Sequence, residues 1–205
     1  MPSITEGFAP NLSTQHVLAC LTSHIQSQLQ SGSFVTLIHA GNSDYLRLLH
    51  FLISELLLRK QQVHIFDYHR KIKLVFLRHL LEQKNTGASK STKFLHLTVI
   101  LDEDHALNAL MRLQRKTLPK RKTPVLFIVD PSGLFNRMRG GVKQSAQALQ
   151  LQYEAAQMFA QRGYAVIVSD FGGRQFHRIE SLVPAQLATP ATLVLQFLPR
   201  RILLS

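Results

Sequence analysis

Two stretches of this 205-residue chain combine cations with glycine and aromatic residues, the residue types that handle phosphates and bases. The first is Phe135-Asn136-Arg137-Met138-Arg139-Gly140-Gly141-Val142-Lys143, in which Arg137, Arg139 and Lys143 surround a Gly-Gly pair. Glycine lets one backbone approach another closely, and Arg or Lys replaces counterions condensed on a polyanion, so this loop can follow a phosphate backbone. A solvated helix entrance with scattered charge would have the same composition. The second stretch is Phe171-Gly172-Gly173-Arg174-Gln175-Phe176-His177-Arg178. Here Arg174, Phe176, His177 and Arg178 interleave rings with cations, which suits base stacking combined with phosphate contact. Phe176 would serve equally as a core plug that anchors its loop. Neither stretch suggests base-specific readout. A third basic run, Lys116 to Lys122, contains Lys120, Arg121 and Lys122. It resembles a short nuclear import signal, readable only when exposed, or a basic connector that helps to hold nucleic acid.

Other candidate residues have simpler assignments. Asp102-Glu103-Asp104 has the look of a metal cluster, yet acids in the first turn of a helix are what the helix dipole favours. Cys20 is the sole cysteine, which excludes an internal disulfide and a cysteine-based metal site. Its place on an apolar helical stripe predicts a buried structural thiol. The histidines, His50 and His79 among them, are scattered without ligand spacing and are expected as surface or satisfied core residues.

The formal net charge is +12, and its distribution is uneven. Met1 to Leu58 holds one basic residue against three acids, Arg59 to Lys122 fifteen against five, and Thr123 to Ser205 eight against four. The excess in the middle and the end favours polyanion partners, nucleic acid first. Hydrophobic residues make up 45% and charged ones 18%, as in a globular protein with a real core. The longest apolar stretch, Tyr45 to Leu58, is interrupted by Arg47, His50 and Glu55 and is too short to cross a bilayer, so it is expected as a buried helix. The N-terminus lacks the pattern of a signal or transit peptide, from which intracellular residence is expected.

The elements that must position these loops follow from periodicity. An amphipathic helix with Val17, Leu18, Leu21, Ile25 and Leu29 at helical spacing is expected within Ser13 to Gln30, making 1–32 an N-terminal segment. Phe34 to Ala40 suits a strand buried on both faces, and after Gly41-Asn42-Ser43 an apolar helix starts at Asp44 and runs to about Lys60. Val63 to Phe66 is the next strand. Ile72 to Gln83 follows as a helix with Ile72, Val75, Phe76 and Leu80 on one side. Phe94 to Leu101 is a third strand, and Glu103 to Lys116 a helix with Ala106, Leu107, Leu110, Met111 and Leu113 inward. Val125 to Val129 is the most apolar strand, ending at Asp130. A long helix, Val142 to Arg162, carries Ala146, Leu149, Tyr153, Ala156 and Ala160, with Gly163 as its C-cap. Tyr164 to Ser169 is the fifth strand. Thr192 to Leu198 and Arg201 to Leu204 complete the chain as a closing antiparallel hairpin. Strands separated by helices imply right-handed crossovers and an α/β fold with a mostly parallel sheet.

In this order the elements resemble the ATPase core of the RecA-like recombinases and their eukaryotic paralogues, over 33–205. FVTLIHA followed by a glycine turn and an apolar helix sits where that family has its Walker A loop. VHIFDYHRKIKLVFLRHLLEQ is similar to the paralogues' second strand and helix, VLFIVD resembles the Walker B strand, and Pro131 to Val142 leading through a long helix to YAVIVSD resembles the path through the first DNA-binding loop. The resemblance places Arg137, Arg139 and Lys143 in that first loop, and Arg174, Phe176, His177 and Arg178 at the start of the second.

A working phosphate loop reads G-x-x-x-x-G-K-[ST], because backbone amides and a lysine offset phosphate charge and a hydroxyl holds magnesium. The corresponding run here is His39-Ala40-Gly41-Asn42-Ser43-Asp44-Tyr45-Leu46, with one glycine, no lysine and an acid near the lysine position. Asp44 would repel phosphate. Gly41, Asn42, Ser43, Asp44 and Asp130 therefore form a degenerate nucleotide pocket, with Asp130 reduced from magnesium-linked acid to a remnant at a strand end. The resemblance implies a non-catalytic paralogue that holds no cofactor and no metal, similar to the small subunits of the Shu complex. It implies a nuclear accessory subunit in DNA repair that works beside another recombinase paralogue, binds single-stranded or forked DNA and assists the main recombinase filament, with no membrane role. An inactive RecA-like subunit of an Elongator-type tRNA-modification assembly, or a divergent ATPase with a borrowed lysine, are the alternatives. Calorimetric titration with magnesium-ATP is expected to give millimolar affinity or no detectable binding. A micromolar dissociation constant, about 4 kcal/mol tighter, would contradict the degenerate pocket.

Overall fold

A strand covered on both faces must bury every side chain it carries, and Val63–Asp67 and Val125–Val129 are buried residue after residue. The computed structural model describes residues 14–39, 43–84, 91–116, 122–131, 141–171, 192–198 and 201–204. Helices alternate with strands: α1 (Thr14–Gln28), β1 (Phe34–His39), α2 (Ser43–Leu58), β2 (Val63–Asp67), α3 (Leu74–Gln83), β3 (Leu95–Val99), α4 (Glu103–Gln114), β4 (Val125–Val129), α5 (Gly141–Gln161) and β5 (Ala165–Phe171). The five strands form an all-parallel sheet in the order β3-β2-β4-β5-β1, flanked by helices. Two short strands, Thr192–Leu198 (β6) and Arg201–Leu204 (β7), come next to β1 in the sheet order. No described helix is long and apolar enough to cross a membrane.

The two-residue period of each strand sorts its side chains into two cores. Val63, Ile65, Val125, Phe127, Val129, Ala165 and Ile167 pack with Ile25 of α1, the apolar stripe of α2, and Leu77 and Leu81 of α3. Phe66, Leu126, Ile128, Val166 and Val168 pack with Ala106, Ala109, Leu110 and Leu113 of α4 and with Tyr153, Ala156 and Phe159 of α5. Helix α1 packs against α2 and so belongs to the first core. At the end of α5, Gly163 takes φ +96°, and its N–H donates to the Ala160 carbonyl at 2.8 Å. This is the glycine C-cap expected from the sequence, since a Cβ at that φ is strained.

Three expectations about inward faces are corrected. Cys20 is exposed, because it lies five residues, about 140° of helical rotation, from the buried Ile25. In α3 the inward residues are Leu77, Leu80 and Leu81, while Val75 is 84% exposed and Phe76 only partly buried. Ile72 is buried, but in the segment before the helix. In α4 the inward face is Ala106, Ala109, Leu110 and Leu113, leaving Leu107 and Met111 exposed. Both helices flank the edge strand β3, which offers too little sheet to cover a wide apolar stripe. Residues Val17, Leu18, Leu21, Ala146 and Leu149 have side chains outside the described set.

Two buried histidines are built into this packing. His50 Nδ1 donates to the Leu46 carbonyl at 2.6 Å, and its Nε2 accepts the Lys73 N–H at 2.9 Å, tying α2 to the entrance of α3 with a neutral ring. His64 of β2 stacks on His96 of β3 with ring centroids 4.6 Å apart. Burial holds both His50 and His64 below the ordinary imidazole value of 6.5, His64 at about 3. The unfolded chain takes up these protons near 6.5 and the folded chain does not, so the stability they contribute is complete above that pH. It is lost as pH falls below it, at about 1.4 kcal/mol per pH unit for each ring still neutral in the folded state. Urea midpoints are expected to fall steadily from about pH 7 to about pH 5, and less steeply in His64→Phe. A midpoint independent of pH in that window would contradict this.

Candidate functional site

In open parallel sheets ligands meet the carboxyl ends of the strands, and three acids lie there at Asp67, Asp130 and Asp170. Asp67 ends β2, fully buried, and its carboxylate accepts from the backbone N–H groups of His69 (3.1 Å), Lys71 (3.0 Å) and Ile72 (2.8 Å). It shapes the path from β2 into α3, and its acceptor capacity is spent on that turn. Asp170 lies within β5, with its side chain outside the described set.

Asp130 follows the last residue of β4. Its backbone turns into the left-handed region, φ +54°, where aspartate is tolerated better than most residues. Its N–H donates to the Ser169 carbonyl of β5 at 2.8 Å, which fixes that turn against the neighbouring strand. The side chain is 3% exposed. Tyr45, in the first turn of α2 and fully buried, brings its hydroxyl to this point, where it donates to Ser169 Oγ at 2.5 Å and reaches Asp130 Oδ1 at 3.4 Å. The phenol ring thus closes the space beneath the start of α2, and its hydroxyl sits between two strand ends. A carboxylate so enclosed can anchor a hydroxyl network.

The other sequence-derived site residues divide as follows. Ser43 and Asp44 are the first two residues of α2, with side chains outside the described set, and Gly41 and Asn42 lie outside it altogether. Arg137, Arg139, Arg174, Phe176, His177 and Arg178 also lie outside the described residues, as do Lys120 and Arg121. Lys143 is the third residue of α5, and its side chain is not described. Lys122 is described, and its Nζ donates to the Arg59 carbonyl, so at least this cation of the basic run bridges to the end of α2. Asp102 caps α4, accepting the His105 N–H at 2.7 Å, which is the structural role expected of that acid.

Sequence reasoning missed Tyr45 and Ser169, because a tyrosine in an apolar helix reads as core and a lone serine at a strand end reads as nothing. It also missed His64 and His96. Their signal was available: each is the second residue of a strand, in VHIFD and LHLTV, so parallel pairing in register sets them side by side.

No protein-family model matches the chain, and a comparison with curated proteins finds no match.

Tyr45→Phe keeps the ring and removes only the hydroxyl, leaving Ser169 and Asp130 each short of a contact in a buried setting. It is expected to lower unfolding free energy by about 1–3 kcal/mol in urea titrations. Part of that loss should vanish when Asp130→Asn is already present, as for groups in one network. An effect within about 0.5 kcal/mol, the range of an ordinary surface change, would show that the hydroxyl network carries nothing.

Proposed function

We propose that the chain is a degenerate RecA-like recombinase paralogue, a non-catalytic nuclear subunit of a homologous-recombination repair assembly similar to small Shu-complex subunits. In this reading it binds single-stranded or forked DNA beside a second paralogue and promotes assembly of the main recombinase filament. The enclosure of Asp130 by Tyr45 and Ser169 is the observation that carries the proposal. In the resemblance drawn above Asp130 is the Walker B acid, and here it serves the core. With no lysine in His39 to Leu46, both halves of a phosphate-magnesium site are compromised.

The parallel sheet with a helix between successive strands is what such a core requires. Further support for the expected closing hairpin comes from β6 running parallel beside β1, with Phe34 opposite Thr192, and from β7 pairing antiparallel with β6. The polyanion partner is supported by composition: Arg137, Arg139 and Lys143 before and at the start of α5 in sequence, and Arg174 and Arg178 after β5. The chain leaves the carboxyl ends of adjacent strands, β4 and β5, just before these two segments.

Fluorescence anisotropy across a salt series tests this reading. Arg137→Glu combined with Arg139→Glu is expected to weaken binding of forked or single-stranded DNA and to reduce the slope of log affinity against log salt by about 1.4, two phosphate contacts' worth. The melting temperature should not change. Unaltered affinity would remove the DNA role of that loop, and tighter binding of tRNA than of forked DNA would move the protein to the RNA side.

A further inference from the structure

We propose that the cavity between the β2–β3 edge of the sheet and α4 is a binding site for a phosphomonoester dianion. The cavity holds about 400 Å³, within the range of small-ligand pockets, and leaves room for a carrier group beyond the phosphate. Its polar wall comes from His64 and His96 on the strands and from His105, Asn108, Arg112 and Lys116 on and just beyond α4. Among the described residues no carboxylate lines it. In-register pairing stacks the His64 and His96 rings at 4.6 Å with an interplanar angle of 12°, and Tyr164 meets His64 edge-on from behind.

The wall is short of hydrogen-bond partners and of countercharge. His64 is 4% exposed, and among the described residues its ring makes aromatic contacts but no hydrogen bond. Arg112 and Lys116 form no ion pair among the described residues. Burial, then the neighbouring imidazole and Lys116, hold His64 well below its ordinary value, and burial followed by Lys116 lowers His96. The local field is therefore positive, with nothing on the wall to offset it.

A single carboxylate would occupy the Arg112 guanidinium and leave Lys116 and the imidazoles unserved. A phosphomonoester offers three terminal oxygens, enough for the guanidinium fork, the ammonium and an imidazole N–H together. Its two charges would also oppose the effect of Lys116 on His96 and His64. Among the described residues, the groups facing those two rings are His105, Arg112, Lys116 and Tyr164, none of them an acid. The site lies on the α4 face of the sheet, whereas Tyr45 reaches Asp130 from α2 on the other face, so the inference stands apart from the nucleotide-pocket reading.

Histidine imidazole NMR on the full chain, titrated with glycerol 3-phosphate, tests the site. The expected result is a saturable shift of His96 and His64 with millimolar or tighter affinity. Arg112→Gln with Lys116→Gln, both at exposed positions, should weaken binding at least about tenfold without changing the thermal melt. A 5′-phosphorylated oligonucleotide and its unphosphorylated twin identify the source. Competition that depends on the 5′-phosphate supports the site with a nucleic-acid terminus as ligand, and binding of glycerol 3-phosphate alone supports it with a small molecule. Equal binding of both oligonucleotides, an equal response to sodium chloride at matched ionic strength, or no saturation overturns the proposal.

Discussion

A parallel sheet reached by helical crossovers is covered on both faces, so every polar group within it must bring its own partner. In this chain the requirement sorts the strands into two apolar layers and leaves carboxylates only at or beyond the strand ends. Asp67 meets it by accepting three backbone N–H groups from the turn it begins. Asp130 meets it through Tyr45 and Ser169, together with a backbone turn held by β5. His50 meets it with one bond from each ring nitrogen. The helices are therefore joined to the sheet by polar pegs at defined points, and the loops that could meet ligands depart from those same points.

Most of the strand pattern could be read from composition, since Val125 to Val129 is an unbroken apolar run between Pro124 and Asp130. Helix existence was equally legible; helix phase was not. In α3 the consecutive residues Leu74, Val75, Phe76 and Leu77 allow several faces, and only the position of α2 and the edge strand selects Leu77, Leu80 and Leu81. The same ambiguity misplaced Leu107 and Met111, and it put Cys20 inside a helix face that in fact turns outward. Asp130 was visible as a strand-end acid. Its partners were not, because Tyr45 is 85 residues and Ser169 is 39 residues away in sequence, and only the order β4-β5-β1 brings them together.

The enclosure of Asp130 changes what the missing lysine means. Loss of a lysine alone would leave an open cleft with weakened phosphate affinity, which a neighbouring cation could repair. In the proposed reading, a buried phenol bonded to the strand ends adds to that loss, because Tyr45 fills the core beside Asp130. Burying a tyrosine is worth several kcal/mol through its area alone. In the proposed reading, Asp130 serves the architecture of the strand ends instead of chemistry.

Basic residues outnumber acids two to one in this chain, and the α4 cavity shows at close range how a stable fold accommodates such a surplus. The cations Arg112 and Lys116 sit where water can solvate them. The His64 imidazole occupies the depth, where burial keeps it neutral instead of carrying charge into the core, while His96 stays exposed. Among the described residues the wall carries no carboxylate, and the neutral His64 ring lies below a charged rim. An arriving anion would meet full positive charge first and imidazole donors second, the sequence in which attraction guides and hydrogen bonding then fixes a phosphate.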